Sequence, residues 1–150
     1  MTLDRNKITI NRRNIINFTL TKEQEAIKKM MAEFADKEIA PTAHARDLGQ
    51  DYAPTFEIMK KLGQMGMWGV CYPKEVGGTG GDFISYALAC FEINRCDVAT
   101  GTSYAVHMSL GTYPLFKFGT PEQKERWLRP ALEGKKLTAF GLTEPNAGSD

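Results

Sequence analysis

From Phe83 to about Arg95 the chain offers water no face. Phe83, Ile84, Tyr86, Ala87, Leu88, Cys90, Phe91 and Ile93 lie on every side of a helix drawn through this stretch. A helix that is apolar all round has to be enclosed by other elements, so the spacing predicts a buried, central helix. Whatever else folds must wrap it, and most of the remaining sequence has a helical period.

Thr21 is placed to cap a first helix, and Gln24, three residues on, completes a capping box. Ile27, Met30, Met31 and Phe34 then share one face. Pro41 has no amide hydrogen, so this helix is expected to end or kink there, with residues 43–53 forming a polar, partly helical connection. A second helix is predicted from about Pro54 to Met65, with Pro54 in its first turn and Phe56, Met59 and Leu62 facing inward. Gly63, Gly66 and Gly69 break regularity around Trp68. Pro73 to Gly81 is the clearest loop. Its glycines lack the GxxxxGK[ST] pattern, so a tight connection is the better reading than a phosphate cradle. A helix rich in small residues and hydroxyls follows, from about Ala99 to Tyr113. Thr120-Pro121-Glu122-Gln123 opens the last helix with a Thr cap, Pro at the first position and Gln at the third; it carries Trp127 and Leu128 and ends near Leu132, before Gly134. Only at Leu137–Thr143 does the period change to that of a strand. The expected organisation is mainly α: an arm over residues 1–17, a helical domain over 18–134, and the start of a β domain over 135–150.

Bulk properties exclude several functions. A net charge of +1 on 150 residues gives no electrostatic footprint for nucleic acid. Cys71, Cys90 and Cys96 form no CxxC pair and only two His exist, so no zinc ligand set is read. Unpaired thiols fit a reducing, cytoplasmic setting, and Cys90 in its apolar run reads as core. No apolar run approaches the ~18 residues of a membrane span. Residues 1–17 mix Arg5, Lys7, Arg12 and Arg13 with isoleucines and lack the apolar centre of a secretion signal. They read as a loosely docked arm, with an organelle transit segment, and so a mitochondrial matrix location, as the alternative.

Candidate chemistry is sparse. Ser103 and His107 lie four apart on one helical face, but no orienting acid, oxyanion hole or nucleophile elbow accompanies them. His107 is expected at a surface or interface, hydrogen-bonded. Glu144 and Asp150 read as turn-shaping acids rather than buried bases. The turn after Thr143 is richer: Thr143 and Ser149 offer hydroxyls, and Gly148 allows close backbone approach. Ala139, Gly141 and Thr143 would form a track of small residues on one strand face, against which a flat aromatic cofactor can lie. Thr102, Val106 and Leu110, at i, i+4 and i+8, form a mild apolar stripe. Either a lined cavity or ordinary core packing explains it.

Three motifs in order resemble the acyl-CoA dehydrogenase family. Residues 141–150, GLTEPNAGSD, look like the family's first signature. Residues 73–80, PKEVGGTG, resemble its P-x-x-x-G-G-x-G loop, and residues 118–124, FGTPEQK, its FGT-x-x-QK helix start. The short-chain, butyryl-CoA type looks nearest. The resemblance implies the N-terminal helical domain of that fold, followed by the first strand of the middle β domain. It implies a non-covalent FAD and oxidation of a short- or medium-chain acyl-CoA to the trans-2-enoyl-CoA. A homotetramer is implied, with electron-transfer flavoprotein as the electron-accepting partner. Position by position, Phe140, Leu142 and Thr143 match residues that contact the flavin. Gly148 and Ser149 match the turn at the flavin pyrophosphate and the CoA portion, and Thr102, Val106 and Leu110 the acyl pocket. The family's glutamate base has no counterpart before Asp150, so no catalytic residue is assigned and a truncated N-terminal portion, inactive alone, is expected. An acyl-CoA oxidase and a non-catalytic module docking on another acyl-CoA dehydrogenase subunit are the rival readings.

Overall fold

The computed structural model describes residues 18–49 and 51–149. The expectations for the arm over 1–17 and for Asp150 lie outside the described residues. The helices are α1 Lys22–Phe34, α2 Ala40–Gly49, α3 Ala53–Gln64, α4 Phe83–Cys96, α5 Val98–Val106, α6 Tyr113–Phe118, α7 Pro121–Gln123 and α8 Arg129–Leu132. Three π-turns, Ala35–Ile39, His107–Gly111 and Lys124–Leu128, join α1 to α2, follow α5, and join α7 to α8.

The capping boxes form as expected at Thr21/Gln24 and Thr120/Gln123. Met31 is fully buried, with Ile27 and Phe34 packed against the core. Pro41 neither ends nor breaks the helix. The ladder widens to π spacing just before it, and α2 runs on to Gly49. A proline lacks a donor and crowds the preceding turn, and a π-turn relieves both constraints. In α3, Met59 and Leu62 are buried as expected, but Phe56 is exposed. It sits about 90° from the centre of the face that Ile58, Met59, Leu62 and Gly63 bury, so it is at the rim.

The expectation for α4 needs a larger correction. It packs along α1 and α5. Ser85, Ala89, Glu92 and Ile93 are buried, yet Phe83, Ile84 and Phe91 are 67%, 52% and 63% exposed. The helix is central in sequence but enclosed on one side only.

Trp68 occupies the middle of the core. Its indole Nε1 donates to the Met59 carbonyl at 3.0 Å, and its ring meets Tyr104 and His107 at centroid distances of 5.2 and 4.2 Å. Beside it Gly63 and Gly134 touch: a Cβ on Gly63 would lie 2.6 Å from the Gly134 Cα. The 73–81 loop spends its amides on itself and its stem: Gly78 N–H on the Pro73 carbonyl, Thr79 N–H on Gly69 and Gly80 N–H on Tyr72. The tight-connection reading therefore holds, because these donors do not face a phosphate.

Residues 137–143 form no ladder. The β pairing among the described residues is one bridge, Glu144 to Ala147. A strand needs a neighbour to pair with, and the described residues supply none.

Candidate functional site

The site is built where α5 and its π-turn meet the segment after α8. Asp97 caps α5, its carboxylate accepting from the Ala99 and Thr100 amides at 3.2 Å each. Tyr104 fixes the buried side of α5 by donating to the Met67 carbonyl at 2.9 Å. Thr102 and Leu110 consequently face outward, and Val106 is half-buried between them. The stripe is not core packing: it is an open apolar strip. Ser103 donates along its own helix to the Ala99 carbonyl at 3.0 Å, so it makes no pair with His107.

His107 overturns its expected surface position, since it is 2% exposed. Its hydrogen bonding is as expected. Nε2 lies 3.3 Å from the Ala131 carbonyl oxygen, which only accepts, so Nε2 carries the proton. Nδ1 is then free to accept, and the Thr138 backbone N–H and hydroxyl both reach it at 3.1 Å. Burial lowers the His107 pKa to about 4, against a smaller opposing effect from the Ala131 carbonyl. The imidazole is neutral at pH 7.

Gly111 explains how closely the segment passes. A Cβ there would lie 2.0 Å from the Thr138 hydroxyl oxygen. Thr138 therefore brings the predicted flavin segment onto the end of the predicted acyl strip, next to Leu110. Beyond it Phe140 and Leu142 are 48% and 70% exposed, and Thr143 is exposed. The amides of residues 139–143 make no backbone hydrogen bond among the described residues. The turn then closes through the backbone, Glu144 N–H to the Ala147 carbonyl at 2.9 Å and Ala147 N–H to Glu144 at 3.2 Å. Glu144 is exposed, as befits a turn residue rather than a base. Gly148 and Ser149 are exposed, with open space around the Gly148 Cα. The segment thus starts, at Thr138, against Gly111 at the end of the strip, while Gly148 and Ser149 lie further along the chain.

A cavity of about 440 Å³ lies elsewhere, bounded by α2, the start of α3 and the start of α5. Its floor is Arg46, which is 7% exposed. Arg46 Nη1 donates to Thr55 and Thr100 at 3.1 and 3.0 Å, and Nε to Thr42 at 3.2 Å. Nη2 lies 3.0 Å from an Asp97 oxygen but off the hydrogen-bond axis, so charge rather than a directed bond holds that contact. Burial pushes the Asp97 carboxyl up, but the Thr100 hydroxyl and amide and the Arg46 charge together hold it below its ordinary value. Burial raises the Cys71 and Cys90 thiols, which leaves neither poised as a nucleophile. Neither the depth of His107 nor that of Arg46 is signalled by its sequence neighbours.

The family profile for the acyl-CoA dehydrogenase N-terminal domain matches residues 21–135. The chain is 50% identical over 135 residues to a Bacillus subtilis protein named probable acyl-CoA dehydrogenase YngJ, covering 90% of this chain and 35% of that one. It is 42% identical, with the same coverage, to the short-chain specific acyl-CoA dehydrogenase of Clostridium acetobutylicum. Butyryl-CoA dehydrogenase from Megasphaera elsdenii superposes with a TM-score of 0.82 at 39% identity, over 89% of this chain and 35% of that one. A chain of a structure described as the electron transferring flavoprotein of Acidaminococcus fermentans gives 0.84 at 43% identity, with the same coverage. An acyl-CoA dehydrogenase from Bacillus anthracis complexed with FAD gives 0.83 at 29% identity, over 91% of this chain and 23% of that one. The chain spans about 35% of the length of the curated relatives it matches. Its helices, its glycine loop and the segment that follows α8 are those of a known architecture, and the chain belongs to the acyl-CoA dehydrogenase family.

Proposed function

We propose that this chain supplies the helical wall of a flavin and acyl-CoA site in an oxidoreductase that acts on short- or medium-chain acyl-CoA thioesters. One observation carries the reading: Thr138, two residues before Phe140, lies against Gly111, one residue after Leu110, so the segment bearing Phe140, Leu142 and Thr143 starts at the end of the outward strip Thr102–Val106–Leu110.

The residues suit FAD. Phe140 and Leu142 present apolar surface to the outside, as packing on a flat ring system requires, and unspent amides and the Thr143 hydroxyl lie beside them. Gly148 and Ser149 offer an uncrowded turn for the pyrophosphate and the CoA portion. When bound, FAD supplies the hydride acceptor that converts the acyl-CoA to the trans-2-enoyl-CoA. The strip holds the acyl chain by apolar contact and keeps water from it. No carboxylate of the described residues stands at the meeting point: Glu144 is exposed on the turn. The proton-abstracting base is therefore assigned to a glutamate outside these 150 residues, and the chain alone is expected to be inactive. Electron-transfer flavoprotein is the proposed electron acceptor, a homotetramer the proposed assembly and the cytoplasm the proposed location. Similarity to the Acidaminococcus chain supports the first.

A chimera tests this reading. Residues 16–150 replace the matching stretch of the Bacillus subtilis relative. The expected product is yellow and oxidises butyryl-CoA with an artificial electron acceptor. A folded but colourless and inactive chimera overturns the proposal.

A further inference from the structure

We propose that His107 is a positioning residue. Its neutral imidazole ties down Thr138 and so sets where Phe140, Leu142 and Thr143 stand relative to the strip Thr102–Val106–Leu110. The functional meaning of this tie rests on the flavin reading above.

Three observations carry it. The ring is held at both nitrogens and by one aromatic neighbour, and its partners select one tautomer. The Ala131 carbonyl takes the Nε2 proton, the Trp68 ring lies 4.2 Å away between centroids, and two donors from Thr138 converge on Nδ1. The His107 backbone is fixed too, because its carbonyl accepts from the Thr112 amide and hydroxyl at 3.0 Å each across the π-turn. Such turns tend to occur at functional sites.

Second, Gly111 lets the segment touch. Any side chain there would occupy the place of the Thr138 hydroxyl.

Third, Thr138 is the last tie before the open segment. From residue 139 to 143 no amide is spent on a backbone carbonyl among the described residues, and Phe140 follows Thr138 by two positions. An extended chain spans at most roughly 3.3–3.6 Å per residue, so the tie at Thr138 bounds how far Phe140 and Leu142, two and four positions on, can stand from Gly111.

The tie has a defined acid limit. Protonation would put an N–H on Nδ1 facing the Thr138 N–H, donor against donor. The groups that meet the ring are uncharged: the Trp68 indole, the Ala131 carbonyl and Thr138. Burial therefore governs its titration, with the pKa near 4.

The test uses the whole 150-residue chain without flavin. Amide hydrogen exchange at Thr138 is followed by NMR in the wild type, His107→Asn and His107→Gln. Asn places an acceptor near the position of Nδ1, and Gln places its amide near Nε2. Both remove the ring from Trp68. Thr138 is expected to stay protected in the Asn variant and to exchange roughly ten-fold faster or more in the Gln variant. Equal loss of protection in both variants means that the ring acts only by packing, and overturns the proposal. So does unchanged protection in both. The wild type gives an independent readout should a variant not fold. Its imidazole nitrogens are expected to show protonated Nε2 and bare Nδ1 at neutral pH, with Thr138 protection falling in the step that titrates the ring. A protonated Nδ1 at neutral pH, or Thr138 protection indifferent to that step, overturns the tie. None of these readouts involves flavin. A colourless chimera therefore removes the flavin reading separately, and a yellow chimera with an unprotected Thr138 removes the tie alone.

Discussion

At the scale of single residues, two buried polar side chains hold this domain together, and each makes a testable demand. His107 has its pKa lowered from 6.5 to about 4. The unfolded chain therefore binds the proton more readily, and stability rises with pH between those values. The contribution is complete above about pH 6.5 and lost as pH falls toward 4, by about 3 kcal/mol at most from that shift. Urea denaturation at pH 7.5 and 4.5 measures it, and His107→Asn should flatten the slope. Asp97 faces the Arg46 guanidinium at 3.0 Å inside the fold. Asp97→Asn leaves that cation buried beside neutral groups, while the Asn oxygen still caps α5. We expect a loss of about 3 kcal/mol in urea melts at pH 7, from the unpaired buried charge alone. Nothing in the order of residues 43–53 announces that Arg46 is interior. Thr55, Asp97 and Thr100 come from other elements, and only folding assembles them around it.

At the scale of elements, local chemistry was legible and enclosure was not. The boxes at Thr21 and Thr120 involve atoms three residues apart, so sequence spacing specifies them. Pro41 was correctly a perturbation, but its outcome is a π-turn just before it rather than an end, and α2 runs on to Gly49. The glycines near Trp68 break regularity as their positions imply. That Gly63 also receives Gly134 is a long-range fact. Gly63→Ala would press a methyl into backbone, and α3 and the turn after α8 would have to part. The expected cost is about 1–3 kcal/mol, read from the thermal midpoint. Residues 137–143 have the alternation of a strand but no ladder, since pairing is a property of two segments and the described residues place no second one beside them.

At the scale of the whole molecule, many large apolar side chains are exposed. Phe83, Ile84 and Phe91 on α4, Leu110 on the strip, and Phe140 and Leu142 beyond Thr138 all face outward. Exposed apolar surface favours association where it is contiguous. Sedimentation velocity at tens of micromolar is expected to show oligomers. Phe91→Ser should reduce them while changing the urea midpoint by no more than about 0.5 kcal/mol, because that side chain touches little of the core. A monomeric wild type would show that the exposed surface is too dispersed to associate.

The sequence by itself determined the helical class, the caps, the glycine loop and the three motifs that resemble the family. Each depends on residues close enough along the chain to interact directly or to be read as a pattern. Tertiary structure alone decided that the α4 face is open, that Arg46 and His107 are interior, and that Thr138 crosses Gly111 at the end of the strip. These depend on contacts between residues far apart in the chain, 27 positions between Gly111 and Thr138 and 54 between Arg46 and Thr100. Burial there is set by what the rest of the chain places alongside, and periodicity within one helix cannot report it.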